Sequence, residues 1–452
     1  MTALPTLPAR LRRFVAQTAP DRTDHPPVAV PSWLLVPGLV VLFVALVAYV
    51  QSIRFYPISG LDLQMYRGGI QAFLDGKPVY QLGYTALQLP YTYPPITLPL
   101  LTPLVWVSLA HSLYAMVGVS MVAALATLWF TTRILRWSGW PGRLGIAAAV
   151  TGLAIWTGPF QDDFNLGQIN ALLLVLIVAD LSLSDGNRAK GALIGLATAS
   201  KLLPGLFVVY LLVTRRIRAA LVATATFVVL TAAGWVIQPG GSHDYWLTGK
   251  AFDSSRVMMT LGPRYGGNQS LQGFTARLLG TDEPNNPLWA ISALVVAVAG
   301  LALAIWAQRL GEEALAMVIT GFTMLMISPV SWSHYWLWIA PLVLVLADIV
   351  RRLRATPQVV AAGVAAIAIL PFMVWPLRVV ANGPLMPSGL IWAAYRHSGV
   401  LTRLFLDPFV PTALVLLVLT VLYLRHVARS ARTEVDPPDQ PAPRQLAEVR
   451  AG

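Results

Sequence analysis

Long apolar runs recur along the whole sequence and limit what this chain can fold into. Each run has at least 16 residues, and a helix of that length approaches the roughly 30 Å thickness of a bilayer core. Charged residues make up only 12% of the 452 residues, against roughly a quarter in soluble domains. A soluble enzyme is therefore excluded. The runs lie near 33–50, 109–132, 144–159, 168–183, 189–214, 217–237, 288–308, 314–330, 335–350, 357–375 and 408–424.

These runs define the expected fold class and domain organisation. We expect an all-α polytopic membrane protein with about 11–12 transmembrane helices, forming one domain over 31–428. Residues 1–30 are rich in arginine and residues 429–452 in proline, so both predict disordered cytoplasmic tails. No small-residue cleavage site follows the first run, which predicts a retained helix rather than a signal peptide. The chain has no cysteine, which excludes disulfides and thiolate metal sites.

The placement of basic residues predicts the orientation of the chain. The formal net charge of +12 sits in short loops and tails, so it indicates topology rather than nucleic-acid binding. The run 189–214 carries basic residues at both ends, which forbids a single crossing and predicts a hairpin dipping in from the cytoplasm. The segment 94–107 is broken by four prolines and predicts a short helical or re-entrant piece. The expected outer segments are 51–95, 160–167, 238–287, 331–334 and 376–407.

The first outer segment contains an acid at the start of an amphipathic pattern. Residues 60–80 place apolar side chains at helical spacing, so we expect a helix on the outer membrane face. Asp62 at its start is either a first-turn acid favoured by the helix dipole or a functional carboxylate. The following YTYPPI contains Tyr93 and is either an interfacial aromatic belt or part of a site. The apolar positions are Leu63, Tyr66, Ile70, Phe73 and Leu74.

The other outer segments collect amides, acids and aromatic residues. FQDDFNLGQIN suits binding of sugar hydroxyls, or is a solvated turn with a helix cap, and RYGGNQSLQG predicts a flexible polar loop. SPVSWSHYWLW places Ser333, His334 and Trp336 at the outer end of two spans, where a histidine is more often interfacial than catalytic. The candidate residues in FQDDFNLGQIN and RYGGNQSLQG are Asp162, Asp163, Asn165, Gln168, Asn170, Asn268 and Gln269.

Lys201 lies in the middle of the run 189–214, in ASKLLPG. A lysine at membrane depth costs a few kcal/mol unless it faces a polar cavity or a partner, so it is a functional candidate. An outer acid, a buried amine and clustered amides together predict a cavity for an anionic, lipid-linked substrate.

Six short motifs carry a family resemblance. DLQMYRGG, YTYPP, FNLGQIN, ASKLLP, GNQS and SPVSWSHYW follow one another between about residues 60 and 350. In this order they resemble glycosyltransferase family 87, whose members have the membrane-embedded GT-C fold. The pattern is most similar to actinobacterial polyprenol-phosphate-mannose-dependent α-(1→2)-mannosyltransferases of phosphatidylinositol mannoside, lipomannan and lipoarabinomannan synthesis. One departure is that Tyr335 follows His334, where close relatives often have a second histidine.

The resemblance implies a reaction and roles for individual residues. Mannose would pass with inversion from polyprenyl-phosphate-mannose to a mannosylated glycolipid or lipoglycan at the outer face. Asp62 would take the acceptor proton, while Lys201, together with His334 or a loop arginine such as Arg256 or Arg264, would neutralise the departing phosphate. No cofactor or metal is required, because no nucleotide leaves. The residues expected to bind substrate are Tyr66, Tyr93, Asp162, Asp163, Asn165, Gln168, Asn170, Asn268, Gln269, Ser333 and Trp336.

Two other functions remain open from the sequence. Another GT-C enzyme could transfer arabinofuranose from a polyprenyl phosphosugar, because a fold does not fix its substrate. A lipid-linked sugar flippase or transporter would be expected to show two related halves with broken helices in corresponding positions. Only the segment 189–214 is broken in that way, which disfavours transport.

Overall fold

The computed structural model describes residues 27–258, 261–283, 286–377, 386–393, 399, 402 and 405–435. These residues are mostly helical, which confirms the all-α polytopic class. The helices are α1 Leu35–Phe55, α2 Leu61–Leu74, α3 Thr97–Leu101, α4 Leu109–Ile134, α5 Trp140–Ala154, α6 Gly158–Leu166, α7 Asn170–Ser182, α8 Ala192–Ser200, α9 Gly205–Val213, α10 Ile217–Ile237, α11 Pro239–Ser242, α12 Ser254–Met258, α13 Leu271–Leu279, α14 Pro287–Arg309, α15 Glu313–Ile327, α16 Ile339–Arg352, α17 Ala355–Ile369, α18 Leu390–Ala393 and α19 Phe409–Val435.

Short strands and 3₁₀ turns join these helices. Two of the three strand pairs are antiparallel, and the third, at the start of the described chain, is parallel. The 3₁₀ helices are Ser32–Leu34, Val79–Gln81, Thr102–Val105, Ser333–Trp338 and Leu370–Phe372, and a π-helical turn covers His243–Leu247. The strands are β1 Val28–Ala29 paired with β4 Trp137–Ser138, β2 Gly83–Tyr84 with β3 Leu89–Pro90, and β5 Val374–Leu377 with β6 Met386–Gly389.

Seven helices of the described chain are long and apolar enough to cross a membrane, or eight if one bent pair forms a single span. The expected number of about 11–12 counted the apolar runs, whereas this count includes only helices of at least 18 residues. The structure instead builds α5, α7 and α15 with 15, 13 and 15 residues. The bent pair is α6 and α7, which meet at 119°. Long and short membrane helices are therefore mixed in this fold.

The run 189–214 forms the predicted hairpin. It consists of α8 and α9, with nine residues each, joined through an extended Lys201. Lys190 before the hairpin and Arg216 after it both form ion pairs with Asp185, at 2.7 and 3.3 Å. Its two ends therefore meet at the same place, and Lys201 lies at the far tip.

The amphipathic helix at residues 60–80 exists as α2, but its apolar side packs on protein. Leu63, Tyr66 and Ile70 are fully buried, whereas Leu74 at the end of the helix is 53% exposed. The expectation that this side rests on the membrane surface is therefore wrong for most of the helix. The prolines of 94–107 produce a short helical piece, as predicted, in α3 and Thr102–Val105.

The ordered structure extends into both expected tails. Val28 and Ala29 pair with Trp137 and Ser138, and α19 continues to Val435. Residues 27–30 and 429–435 therefore belong to the fold. The rest of both tails and most of the expected outer segment 376–407 lie outside the described residues.

Candidate active site

The corner between α6 and α7 fixes the position of Asp62. Gly167 turns the chain there with φ of 70°, and a Cβ at this residue would lie 2.9 Å from the Leu63 side chain. The Asn165 carbonyl accepts a hydrogen bond from the Gly60 backbone N–H at 2.7 Å, and its side-chain oxygen accepts from the Ser59 N–H at 2.9 Å. These bonds attach the start of α2, and with it Asp62, to the corner.

The Asp62 carboxyl has a pKa that lies close to neutral pH. The Gln168 amide donates a hydrogen bond to Asp62 Oδ2 at 2.6 Å. Burial raises the pKa of the Asp62 carboxyl to about 6, against the opposing effects of this hydrogen bond and the charge of Lys201. A carboxylate with a pKa in this range can take a proton from a substrate hydroxyl at physiological pH.

Asp62 faces two cavities. The larger, of about 720 Å³, is also lined by Asp162, Ser333 and His334. The smaller, of about 60 Å³, is lined by Asp62 together with Tyr93, Gln168 and Arg256. The carboxylate at their junction can reach a ligand in either one.

The larger cavity presents a carboxylate and an imidazole. Asp162 accepts hydrogen bonds from the Ser333 hydroxyl and, at 3.1 Å, from the Trp392 indole N–H. His334 Nε2 has no hydrogen-bond partner within the part of the chain that the structure describes. The structure therefore brings the predicted residues Asp62, Asp162 and His334 to one cavity, where polar groups of a ligand can bind.

The adjacent acids Asp162 and Asp163 point to different surroundings, because neighbours on a helix are about 100° apart. Asp163 is fully buried and accepts a hydrogen bond from the Asn170 amide at 3.1 Å. It does not line the larger cavity. The expected contact between Asp163 and substrate therefore does not fit its position.

Lys201 lies behind the cavities rather than in them. Its ammonium donates to Asn170 Oδ1 at 2.9 Å and lies 3.5 Å from the centre of the Tyr335 ring. With both residues it lines a separate pocket of about 30 Å³. The expectation that Lys201 contacts the donor phosphate does not agree with this placement, because Asn170 and Tyr335 hold the amine away from both cavities.

The GNQS segment is a buried anchor, not the flexible polar loop expected from its composition. Asn268 and Gln269 are fully buried, and their amides donate to the backbone carbonyls of Pro329 at 3.3 Å and Leu406 at 2.6 Å. Neither residue lines either of the cavities that Asp62 faces. Their expected role in substrate binding is therefore not supported.

Two more predicted residues lie away from the cavities. Arg264 forms an ion pair with Asp282 in which both side chains are about half exposed, so it is not at the place expected of a phosphate ligand. Trp336 is fully buried, with its ring centre 5.5 Å from those of Phe322 and Phe409. The expected role of Trp336 in substrate binding is therefore replaced by packing in the core.

An aromatic wall of the larger cavity was not predicted. It consists of Tyr265, Trp332 and Trp392, and the centre of the Tyr265 ring lies 5.8 and 6.1 Å from those of the two tryptophans. The motif SWSHYW contains Trp332 and could have indicated it. Nothing in the sequence around Trp392 distinguishes this residue from an interfacial tryptophan.

Several helices long and apolar enough to cross a membrane, together with a cavity that contains a buried carboxylate, define a multi-pass integral membrane enzyme. The chain belongs to glycosyltransferase family 87, whose model matches residues 91–329. Two relatives are both polyprenol-phosphate-mannose-dependent alpha-(1-2)-phosphatidylinositol mannoside mannosyltransferases. The Mycobacterium tuberculosis protein is 33% identical over 65% of this chain and 71% of its own length. The Mycolicibacterium smegmatis protein is 34% identical over 70% and 76%.

A solved structure also aligns with the chain. It is the crystal structure of ArnT from Cupriavidus metallidurans bound to undecaprenyl phosphate, with 20% identity and a TM-score of 0.41. The alignment covers 89% of this chain and 71% of that one.

Proposed function

We propose that this protein transfers mannose, with inversion, from polyprenyl-phosphate-mannose to a mannosylated glycolipid or lipoglycan, forming an α-(1→2)-mannoside. The observation that carries this proposal is the position of Asp62 between a large cavity and a small one that contains Arg256. The donor and the linkage are supported by the two mycobacterial relatives, which are named as polyprenol-phosphate-mannose-dependent alpha-(1-2)-mannosyltransferases.

In this reaction Asp62 is the general base. Its carboxylate takes the proton of the acceptor hydroxyl while that oxygen forms a bond to the anomeric carbon of the donor. The bond between the anomeric carbon and the phosphate oxygen breaks, and its electron pair leaves with polyprenyl phosphate. Charge develops on the leaving phosphate, so a cation close to it lowers the barrier.

Arg256 and His334 are the proposed phosphate ligands. Arg256 lines the small cavity beside Asp62, and one of its guanidinium nitrogens donates to the Tyr80 carbonyl at 3.0 Å. His334 lines the large cavity and has an unpartnered Nε2 among the described residues. Each can donate a hydrogen bond to a phosphate oxygen from its own side of Asp62.

The large cavity is the proposed site of the acceptor sugar, with the donor phosphate at the edge beside Asp62 that it shares with the small cavity. Its volume of about 720 Å³ lies within the range of about 300–1,000 Å³ typical of small-molecule sites. Asp162 and Ser333 offer polar contacts to sugar hydroxyls, and the wall formed by Tyr265, Trp332 and Trp392 offers apolar faces to a sugar ring. Carboxylate and aromatic contacts together favour a carbohydrate in this cavity.

The proposed orientation places this site at the extracytoplasmic face, which the arginine distribution supports. Single cysteines at Arg215 and Arg264 test it, because both positions are exposed and the chain has no native cysteine. An impermeant maleimide should label position 264 in intact cells whose outer permeability barrier is opened, and position 215 only after lysis. Labelling of 215 alone in intact cells would reverse the orientation.

Transfer by the purified protein tests the proposed reaction. Radiolabelled polyprenyl-phosphate-mannose should give a product with mannosylated lipid acceptors, and this transfer should persist in EDTA. Product from GDP-mannose without a lipid donor would contradict the proposal. Turnover only with polyprenyl phosphoarabinose would make the protein an arabinofuranosyltransferase, and movement of the donor across vesicles without transfer would make it a flippase.

A further inference from the structure

The side-chain amide of Gln168 contacts four polar groups of the protein. Its Oε1 lies 2.8 Å from the Tyr66 hydroxyl, 3.2 Å from the Tyr93 hydroxyl and 3.4 Å from the Asn170 amide nitrogen. Its Nε2 donates to Asp62 at 2.6 Å. Gln168 itself is only 4% exposed. Its hydrogen bonds are therefore made within the protein, and one of them ends on the proposed base.

The direction of these hydrogen bonds follows from the chemistry of Lys201. An ammonium group has three donors and no acceptor, so the oxygen of Asn170 must face Lys201, where the distance is 2.9 Å. The Asn170 amide nitrogen then points the other way, toward Gln168 Oε1 and Asp163 Oδ1. The Gln168 amide nitrogen is left to face Asp62. Lys201, which can only donate, therefore fixes the orientation of the side-chain amides of Asn170 and Gln168.

Asp62 must therefore accept a hydrogen bond from Gln168, because the Gln168 amide nitrogen faces its carboxyl group. A carboxylate that accepts a hydrogen bond is favoured in its ionised form, and the amide nitrogen of Gln168 cannot accept a proton from the protonated form. Burial acts in the opposite direction, because it disfavours the charged carboxylate. The hydrogen bonds from Lys201 through Asn170 and Gln168 counter that penalty without any contact between Lys201 and the cavities.

We propose that Gln168 is a positioning residue that holds Asp62 as a hydrogen-bond acceptor at the junction of the two cavities, and that Lys201 acts through it. This inference rests on the proposed role of Asp62 as the general base. It gives Lys201 a part in the reaction that its position behind the cavities allows.

The pH profile of kcat/KM tests the role of Gln168, because this ratio reports the ionisation of the free enzyme. Gln168→Met removes the donor to Asp62 while keeping an unbranched side chain. It should shift the pH midpoint of the acidic limb upward by about one unit. Gln168→Glu keeps the shape and an oxygen for Tyr66, Tyr93 and Asn170, but sets an acidic group against Asp62. It should shift the midpoint further upward. If the Met variant does not fold, the pH midpoint of the Glu variant alone tests the role of Gln168.

Lys201→Met tests the other end of the chain of hydrogen bonds. It should also raise the midpoint of the acidic limb, and the KM for the lipid donor should stay within about twofold of the wild-type value. A strongly raised donor KM with an unchanged pH profile would show that Lys201 binds the phosphate, and would overturn the inference.

Gln71→Met is the matched control. Gln71 also donates to a carboxylate, that of Asp75 at 2.9 Å, but on the exposed far end of α2. Its pH profile should equal that of the wild type. Unchanged profiles in both Gln168 variants, with an inactive Asp62→Asn, would refute the positioning role and leave the proposed function standing. An active Asp62→Asn would instead refute the proposed base, and the inference with it.

Discussion

Two amide-rich segments of this chain have similar compositions and different surroundings. In FNLGQIN, Gln168 and Asn170 form hydrogen bonds with ionisable side chains, those of Asp62, Asp163 and Lys201. In GNQS, the amides of Asn268 and Gln269 donate to backbone carbonyls. Both pairs are almost completely buried. Burial and composition therefore do not distinguish the two segments. Their hydrogen-bond partners distinguish them.

This difference in hydrogen-bond partners distinguishes a functional site from a structural anchor. Most hydrogen bonds of side chains go to backbone or water, and such bonds hold loops in place, as the GNQS segment does for the segments that contain Pro329 and Leu406. Bonds between buried amides and ionisable groups change the charge state of those groups. We therefore expect variants around the α6–α7 corner to change activity, and variants in GNQS to change stability.

The largest expected effect is the loss of turnover in Asp62→Asn. The substitution keeps the shape of the side chain but removes its basicity, so kcat should fall by about 10²–10⁴-fold. The thermal midpoint should stay close to that of the wild type, measured on the same purified sample. Near-native turnover in a folded protein would mean that Asp62 is structural and that the corner is an anchor too.

The pH dependence of activity sharpens the assignment of Asp62. Because burial raises its pKa to about 6, the ionised base is lost as the pH falls through this value. The kcat/KM of the wild type, which reports the ionisation of the free enzyme, should be halved near pH 6 and should fall about tenfold for each further pH unit. An acidic limb with its midpoint near 4 would correspond to an ordinary exposed carboxylate and would contradict the buried site.

Asp162→Asn should affect the acceptor more than the donor. Asp162 lines the large cavity and accepts from Ser333 and Trp392, so its loss weakens one charged contact with a sugar hydroxyl. The acceptor KM should rise about tenfold, which corresponds to about 1.4 kcal/mol. The donor KM of the same variant is the internal control. A rise in the donor KM alone would assign the large cavity to the donor.

Asn268→Ala should lower the stability of the protein and leave its kcat unchanged. It removes the acceptor of the Ser331 N–H at 3.0 Å and leaves that buried group unpaired, which costs about 1–3 kcal/mol. Thermal unfolding in detergent should shift down by several degrees, while kcat per folded molecule stays near the wild-type value. A fall in kcat without a shift in unfolding would place GNQS in the site.

The smallest effect is expected for Arg264→Gln. Arg264 pairs with Asp282 at the surface, and exposed ion pairs contribute little to stability. Neither the thermal midpoint nor the donor KM should change measurably. A clear rise of the donor KM would return Arg264 to the phosphate ligands expected from the sequence.

The sequence predicted features whose signals are local and periodic. Apolar runs identified the membrane class, and the basic residues at both ends of 189–214 identified a hairpin, because a positive charge is costly to translocate. Asp62 was found because an acid at the start of an amphipathic helix is conspicuous. It was assigned a role only through the family resemblance.

The remaining features depend on partners that are distant in the sequence. Gln269 donates to Leu406, 137 residues away, and Trp392 donates to Asp162, 230 residues away. No periodicity encodes such contacts, so an amide in a buried anchor and an amide in a site look the same. The shortness of α5, α7 and α15 was not predicted for a related reason, since hydropathy does not indicate where a helix ends or bends inside the protein.

The hairpin of α8 and α9 also constrains how the protein is made. A helix of nine residues is about 14 Å long, less than half the bilayer core, and the backbone at its tip has no place in lipid until protein covers it. Tyr335 covers this tip, since the centre of its ring lies 3.5 Å from the Lys201 ammonium. Because Tyr335 belongs to a segment that follows the hairpin in the chain, Lys201 reaches its final surroundings only after that later segment has been synthesised and inserted.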